Sequence, residues 1–123
     1  MDKGLKKVGK YNELFDLYLP YKVKSEYIYQ SAGLAKHILK RHPECLKYMD
    51  LISEIISSPD YIDVNPNEKE DSFELVKILT KNIQIGIKID AKDHYLYVAT
   101  LHIITKAKLE HGIANGRLKK FDK

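Results

Sequence analysis

Two histidines and three cations fall within residues 31–43, SAGLAKHILKRHP. Imidazole titrates near neutrality, so histidine can take or give a proton at physiological pH. Lysine and arginine neutralise charge on phosphate oxygens. Together these residue types suit phosphodiester cleavage of RNA, which carries its own nucleophile in the 2′-OH. Such a reaction needs a base for that proton, an acid for the leaving oxygen and cations for the phosphorane. At helical spacing Leu34, Ala35, Ile38 and Leu39 share an apolar face, and Lys36 and Lys40 point away from it. His37 and Arg41, four residues apart, then stack on one shoulder between core and solvent. Spacing alone favours a histidine packed quietly at a core edge, with a site residue as the sharper alternative.

Other chemistries lack their residues. The six glycines are scattered, and neither GxGxxG nor GxxxxGK occurs. There is no HExxH, and His37 and His42 lie five apart rather than four. His94 falls in a turn and His111 late in a helix, so local spacing assembles no metal site. No metal and no cofactor is expected. Cys45, the one cysteine, can form neither an internal disulfide nor a zinc knuckle. No apolar run approaches the ~20 residues of a membrane span. The start, MDKGLKKVGK, has no apolar segment of the kind a signal peptide needs. A cytoplasmic protein without membrane contact is expected.

The net charge of +4 is unevenly spread. Residues 1–24 hold six lysines against three acids, and residues 106–123 hold six basic residues against two acids. Residues 44–74 hold nine acids and two lysines. If the basic ends meet in space, they form a cationic surface suited to a phosphate backbone. Solvated surface lysines are the plainer alternative.

The positioning elements follow from periodicity and breakers. One domain is expected over residues 1–123, with residues 1–10 flexible. Residues 11–19 read as a short helix stopped by Pro20. Tyr27, Ile28 and Tyr29 read as an edge strand leading into the 31–41 helix. Pro43 ends that helix and opens a second to about Ile56, leaving His42 at the junction. Residues 61–64 read as a short strand, 65–71 as a polar turn, and 72–80 as β-capable. Ile83, Ile85, Ile87 and Ile89 alternate with Gln84, Gly86 and Lys88, a half-buried strand. A turn at 90–94 returns the chain as 95–104, making an antiparallel hairpin. Thr105 caps a helix over 106–114, stopped by Asn115-Gly116. RLKKF follows as a basic tail with Phe121 as anchor. The class is α+β, with helices first, then an antiparallel sheet, then a short basic C-terminal helix.

On the return strand, alternation groups Val98, Thr100 and His102. Thr100 and His102 join Gln84, Gly86 and Lys88 if the polar faces coincide. That face is either a ligand-facing floor or an ordinary solvated surface.

Four blocks occur in order: GLAKHILKRHP, SPDYIDVNPNE, IGIKID and YLYVATLHIITKAKLEHGIANGRLKKF. Together they resemble a phage-associated domain of the barnase–EndoU–colicin–RelE-like nuclease superfamily, over nearly the whole chain. The resemblance implies N-terminal helices packed on a four-stranded antiparallel sheet. It implies a metal-independent endoribonuclease, associated with phages or mobile elements as a toxin or effector. RNA is the implied substrate, tRNA included, with an antitoxin or immunity protein as a further partner. Matched motif by motif, it assigns His37 as acid/base and Thr100 to a phosphate oxygen. Lys108 and Arg117 would stabilise charge, and His42 is a further catalytic candidate. Arg41, Lys88, Lys106, Lys119 and Lys120 are the expected substrate-binding cations. One departure stands out: the family is richer in arginine and serine where this chain has Glu110-His111-Gly112-Ile113-Ala114-Asn115. It keeps two alternatives open, a catalytically silent RNA-binding module and a phage-related protein-interaction domain.

Overall fold

The computed structural model describes residues 4–20, 23–64, 72–90 and 92–121. The turn expected at 65–71 lies outside them, as do parts of the links at 21–25 and 90–94. The strand of alternating isoleucines is β5 (Asn82–Ile89), flanked antiparallel by β4 (Ser72–Ile78) and β6 (Leu96–Ile104). Ile83, Ile85 and Ile87 are fully buried. Each such side chain contributes roughly 1.5–3 kcal/mol by leaving water, so the register of the hairpin is firmly fixed.

The sheet is larger than the expected four antiparallel strands. Among the described residues it has seven, in the order β1 (Lys6–Lys10), β2 (Tyr27–Gln30), β6, β5, β4, β3 (Tyr61–Asp63), β7 (Leu118–Lys120), with β2 and β6 parallel and the other pairs antiparallel. Two of these, β1 (Lys6–Lys10) and β7 (Leu118–Lys120), lie at the two edges, where the sequence suggests no strand. Their lysine-rich sequences read as a loose start and a basic tail. Lysines are also what edge strands carry to blunt further pairing. Residues 6–10 are therefore ordered β-structure rather than a flexible terminus. β2 (Tyr27–Gln30) is interior, held between β1 and β6, and not an edge. β3 (Tyr61–Asp63) is the short strand expected there.

One irregularity shapes the site face. The pairing runs Gly86↔Thr100, then Ile87↔Val98, so β6 carries a bulge at Ala99. The bulge reverses the alternation. Val98 joins Leu101 in the main core instead of sharing a face with Thr100 and His102. Thr100 and His102 lie opposite Gly86 and Gln84, on the other face. A Cβ at residue 86 would sit 3.0 Å from Thr100 Cγ2, so glycine lets the bulged strand approach.

The main core is closed by α1 (Leu34–Arg41), a 3₁₀ segment (Pro43–Leu51) and α2 (Ile52–Ser57). α1 buries only Leu34 and Ile38; Ala35 is exposed and Leu39 is 56% exposed. Eight residues allow one buried pair at i, i+4 rather than the wider stripe expected. A second 3₁₀ turn (Glu13–Leu17), capped by Asn12, adds Phe15 to this core. The helices thus lie between strands in sequence and do not precede the sheet. Phe121 stacks on Phe15, with ring centroids 5.1 Å apart, and anchors the C-terminal end. α3 (Lys106–Ala114) starts where Thr105 Oγ1 accepts from Lys108 N at 3.1 Å. It ends before Gly116, whose φ is +78°. α3 packs on the opposite sheet face, where Leu109, Leu118, Ile104 and Val76 make a second, small core. Gly112 admits Leu118 beneath the helix, since a Cβ there would meet Leu118 Cδ1 at 2.6 Å. Among the described residues no helix is long and apolar enough to cross a membrane.

β1 is seated against α2 at Gly9. A Cβ at this position would meet Ile56 Cγ2 at 2.7 Å and Ile56 Cβ at 3.1 Å. Ile56 is β-branched and fully buried, so it cannot yield readily. Gly9→Ala is expected to lower stability by about 1–3 kcal/mol through overpacking. Urea unfolding followed by circular dichroism checks it; an unchanged midpoint would mean that β1 is not docked there.

Candidate active site

Main-core burial leaves Gln84, Gly86, Thr100 and His102 on the sheet face that α3 only partly covers. Between α3 and this face lies a cleft of about 480 Å³. Its lining includes His102 of β6, Gln84 and Glu74 of the neighbouring strands, Lys108 and His111 of α3, and Asp63 and Arg117.

His102 stands at the centre of the charge pattern. Its ring is stacked at a tilt on that of His42, with centroids 5.5 Å apart and planes at 32°. His42 reaches this place because Pro43 breaks the helical run. As the C-cap of α1 it has φ −142° and ψ 63°. Its N–H donates to Ile38 O at 2.7 Å, and its carbonyl accepts from Cys45 N at 2.8 Å. Both flanking helical segments therefore fix its backbone. Burial pushes the His102 pKa below the ordinary imidazole value, and the neighbouring His42 and Lys108 push it the same way. Both effects disfavour the protonated form of the His102 ring.

Two polar pairs brace the cleft. Gln84, the cross-strand partner of His102, donates from Nε2 to Glu74 Oε2. Arg117 Nε donates to Asp63 Oδ1 at 3.0 Å. Asp63 is only 6% exposed, and burial raises its pKa against the opposing pull of Arg117. The turn after α3 aims this arginine: Asn115 Oδ1 accepts from Arg117 N at 3.0 Å.

Of the residues singled out from sequence, Lys108 and Arg117 line the cleft and His42 lies against His102. Thr100 is on the same sheet face, half-buried and opposite Gly86, but outside the cleft lining. His37 and Arg41 are exposed on α1, also outside it. Lys88 is half-buried on β5, across from Tyr97. Lys106 is exposed and pairs with Glu110 at 3.8 Å. Lys119 and Lys120 are exposed on the outer strand β7. His102 received a face but no role from sequence, and Asp63, Glu74, Gln84 and His111 received no role. The alternation that pairs Gln84 with His102 was the available signal.

A larger hollow, about 1060 Å³, lies elsewhere, beside β1 and the first 3₁₀ turn. Its lining mixes Lys10 and Lys24 with Glu13, Asp16 and Glu26 and contains no histidine. Among the described residues no three His, Cys, Asp or Glu side chains gather as a metal site. Residues 6–111 match the model of the family described as phage-Barnase-EndoU-ColicinE5/D-RelE like nuclease3. No curated protein and no solved structure matches the chain.

The lowered pKa of His102 carries a stability signature. Below its ordinary value of about 6.5 the unfolded chain takes up a proton that the folded imidazole resists. The neutral, half-buried ring therefore favours folding above that pH, and the contribution is lost as pH falls through the folded pKa. The urea midpoint is expected to fall between pH 7 and pH 5, and to fall less in His102→Gln. Equal falls in both proteins would show that His102 is not the group responsible.

Proposed function

We propose that this chain, which belongs to the phage-Barnase-EndoU-ColicinE5/D-RelE like nuclease family, is an endoribonuclease cleaving RNA by 2′-OH attack without a metal ion. The observation that carries this reading is the contact of His42 with His102, whose ring lines a cleft together with Lys108 and Arg117. The neutral His102 takes the 2′-OH proton, and the oxygen attacks the adjacent phosphorus. Lys108 and Arg117 stabilise the negative charge of the phosphorane. His42 gives a proton to the departing 5′-oxygen. The products are a 2′,3′-cyclic phosphate and a 5′-hydroxyl. The base role falls to His102 because its half-buried ring lines the cleft and its pKa is lowered, whereas His37 is exposed on α1.

Thr100 would hydrogen-bond a phosphate oxygen at the edge of the site. His37, Arg41, Lys88, Lys106, Lys119 and Lys120 would contact the RNA backbone beyond the cleft. Activity of this kind inside a cell is toxic, so tRNA is a first substrate to try. An antitoxin or immunity protein is the partner to expect.

The test is cleavage of tRNA and ribosomal RNA in EDTA, with the product ends identified. His102→Gln and His42→Gln are each expected to lose about 10²–10⁴-fold in rate. His37→Ala, acting through backbone contact, is expected to lose about tenfold or less. Undiminished cleavage by His102→Gln, or products with 5′-phosphates, would reject the mechanism. A folded wild type that binds RNA but cuts none would reject the enzyme.

A further inference from the structure

The site face continues past the cleft along β6. There Tyr97 lies in register with Tyr29 of β2 and opposite Lys88 of β5. Tyr95 meets both rings: its centroid is 6.1 Å from Tyr29, edge to face, and 5.9 Å from Tyr97. Lys7 of β1 holds its ammonium 4.0 Å from the ring centre of Tyr27. Tyr27, Tyr95 and Tyr97 are only half-buried. Tyr27, Tyr29 and Tyr95 also wall a depression of about 370 Å³, with His94 at its rim.

The main core cannot account for these rings, since they sit on the face away from it. Rigid aromatic faces interleaved with lysines are what an unpaired nucleic acid strand requires: bases stack on the rings while cations meet the phosphates. A duplex keeps its bases stacked on one another and offers the rings nothing. The two carboxylates in the depression, Glu26 and Asp93, suit an exocyclic base amine rather than a phosphate. From Tyr97 to His102 the strand spans about 16 Å at ~3.3 Å per residue, a reach of a few nucleotides.

We infer that the tyrosine–lysine surface of β1, β2 and β6 is a base-stacking subsite for single-stranded RNA, which holds the substrate while its scissile phosphate lies at His102. This rests on the endoribonuclease reading, but its test can be read apart from cleavage. Binding of a fluorescein-labelled single-stranded oligoribonucleotide, and of its blunt duplex, is measured by anisotropy in the His102→Gln background across a salt series. Single strand is expected to bind more tightly than duplex. Tyr97→Ala should weaken single-strand binding about 5–100-fold, and Tyr97→Phe, which keeps the ring, by less than twofold. Lys7→Gln, at an exposed position that does not endanger folding, should flatten the salt dependence by about one unit. Single-strand binding with these variant effects, alongside absence of RNA cleavage by wild type, would sustain the subsite and reject the enzyme. RNA cleavage by wild type with Tyr97→Ala and Lys7→Gln binding unchanged would reject the subsite and leave the enzyme. Equal affinity for duplex, or self-association that buries the tyrosines, would also overturn it.

Discussion

Burial of one face of β5 is the constraint on which the rest of this structure depends. A strand has a period of two, so sinking Ile83, Ile85 and Ile87 into the core forces Gln84, Gly86 and Lys88 to the other side. Hairpin pairing then carries that polarity onto β6, and His102 emerges opposite Gln84. α3 closes over only part of this second face, seated by Leu109 and Leu118. The cleft is what remains between them. From the helical side, the break at Pro43 sets His42 against the ring of His102.

The features fixed by short-range pattern were legible in the sequence. The β5 alternation, the hairpin, the bounds of α3 and the stop at Asn115-Gly116 all follow from neighbouring residues. The edge strands were not, because KKVGK and LKK carry no alternation long enough to distinguish a charged edge from a loose end. The bulge at Ala99 was hidden for a related reason, since neither it nor Thr100 is a glycine. Its one trace was Gly86 on the partner strand, required by the close approach of Thr100. Reading β6 as unbroken put Val98 on the wrong face, yet it placed His102 correctly.

The site itself was legible only in pieces. Lys108 and Arg117 came from resemblance, and both line the cleft. The contact between His42 and His102 joins residues sixty positions apart, and nothing local marks it. The resemblance gave the acid/base role to His37 instead, a residue that is exposed in the fold. The same break that made His42 look like a mere junction residue is what brings it against His102. Desolvation of His102 likewise depends on the packing around it and has no signature in one chain.

The proposed mechanism depends on His102 acting as a neutral base at the cleft it shares with Lys108 and Arg117. Its most direct test is an NMR titration of the His102 ring, with and without a nucleoside 3′-monophosphate. The account predicts a free-protein pKa below the ordinary imidazole value of about 6.5, rising when the phosphate binds. A ring that titrates at the ordinary value and ignores the nucleotide would contradict it.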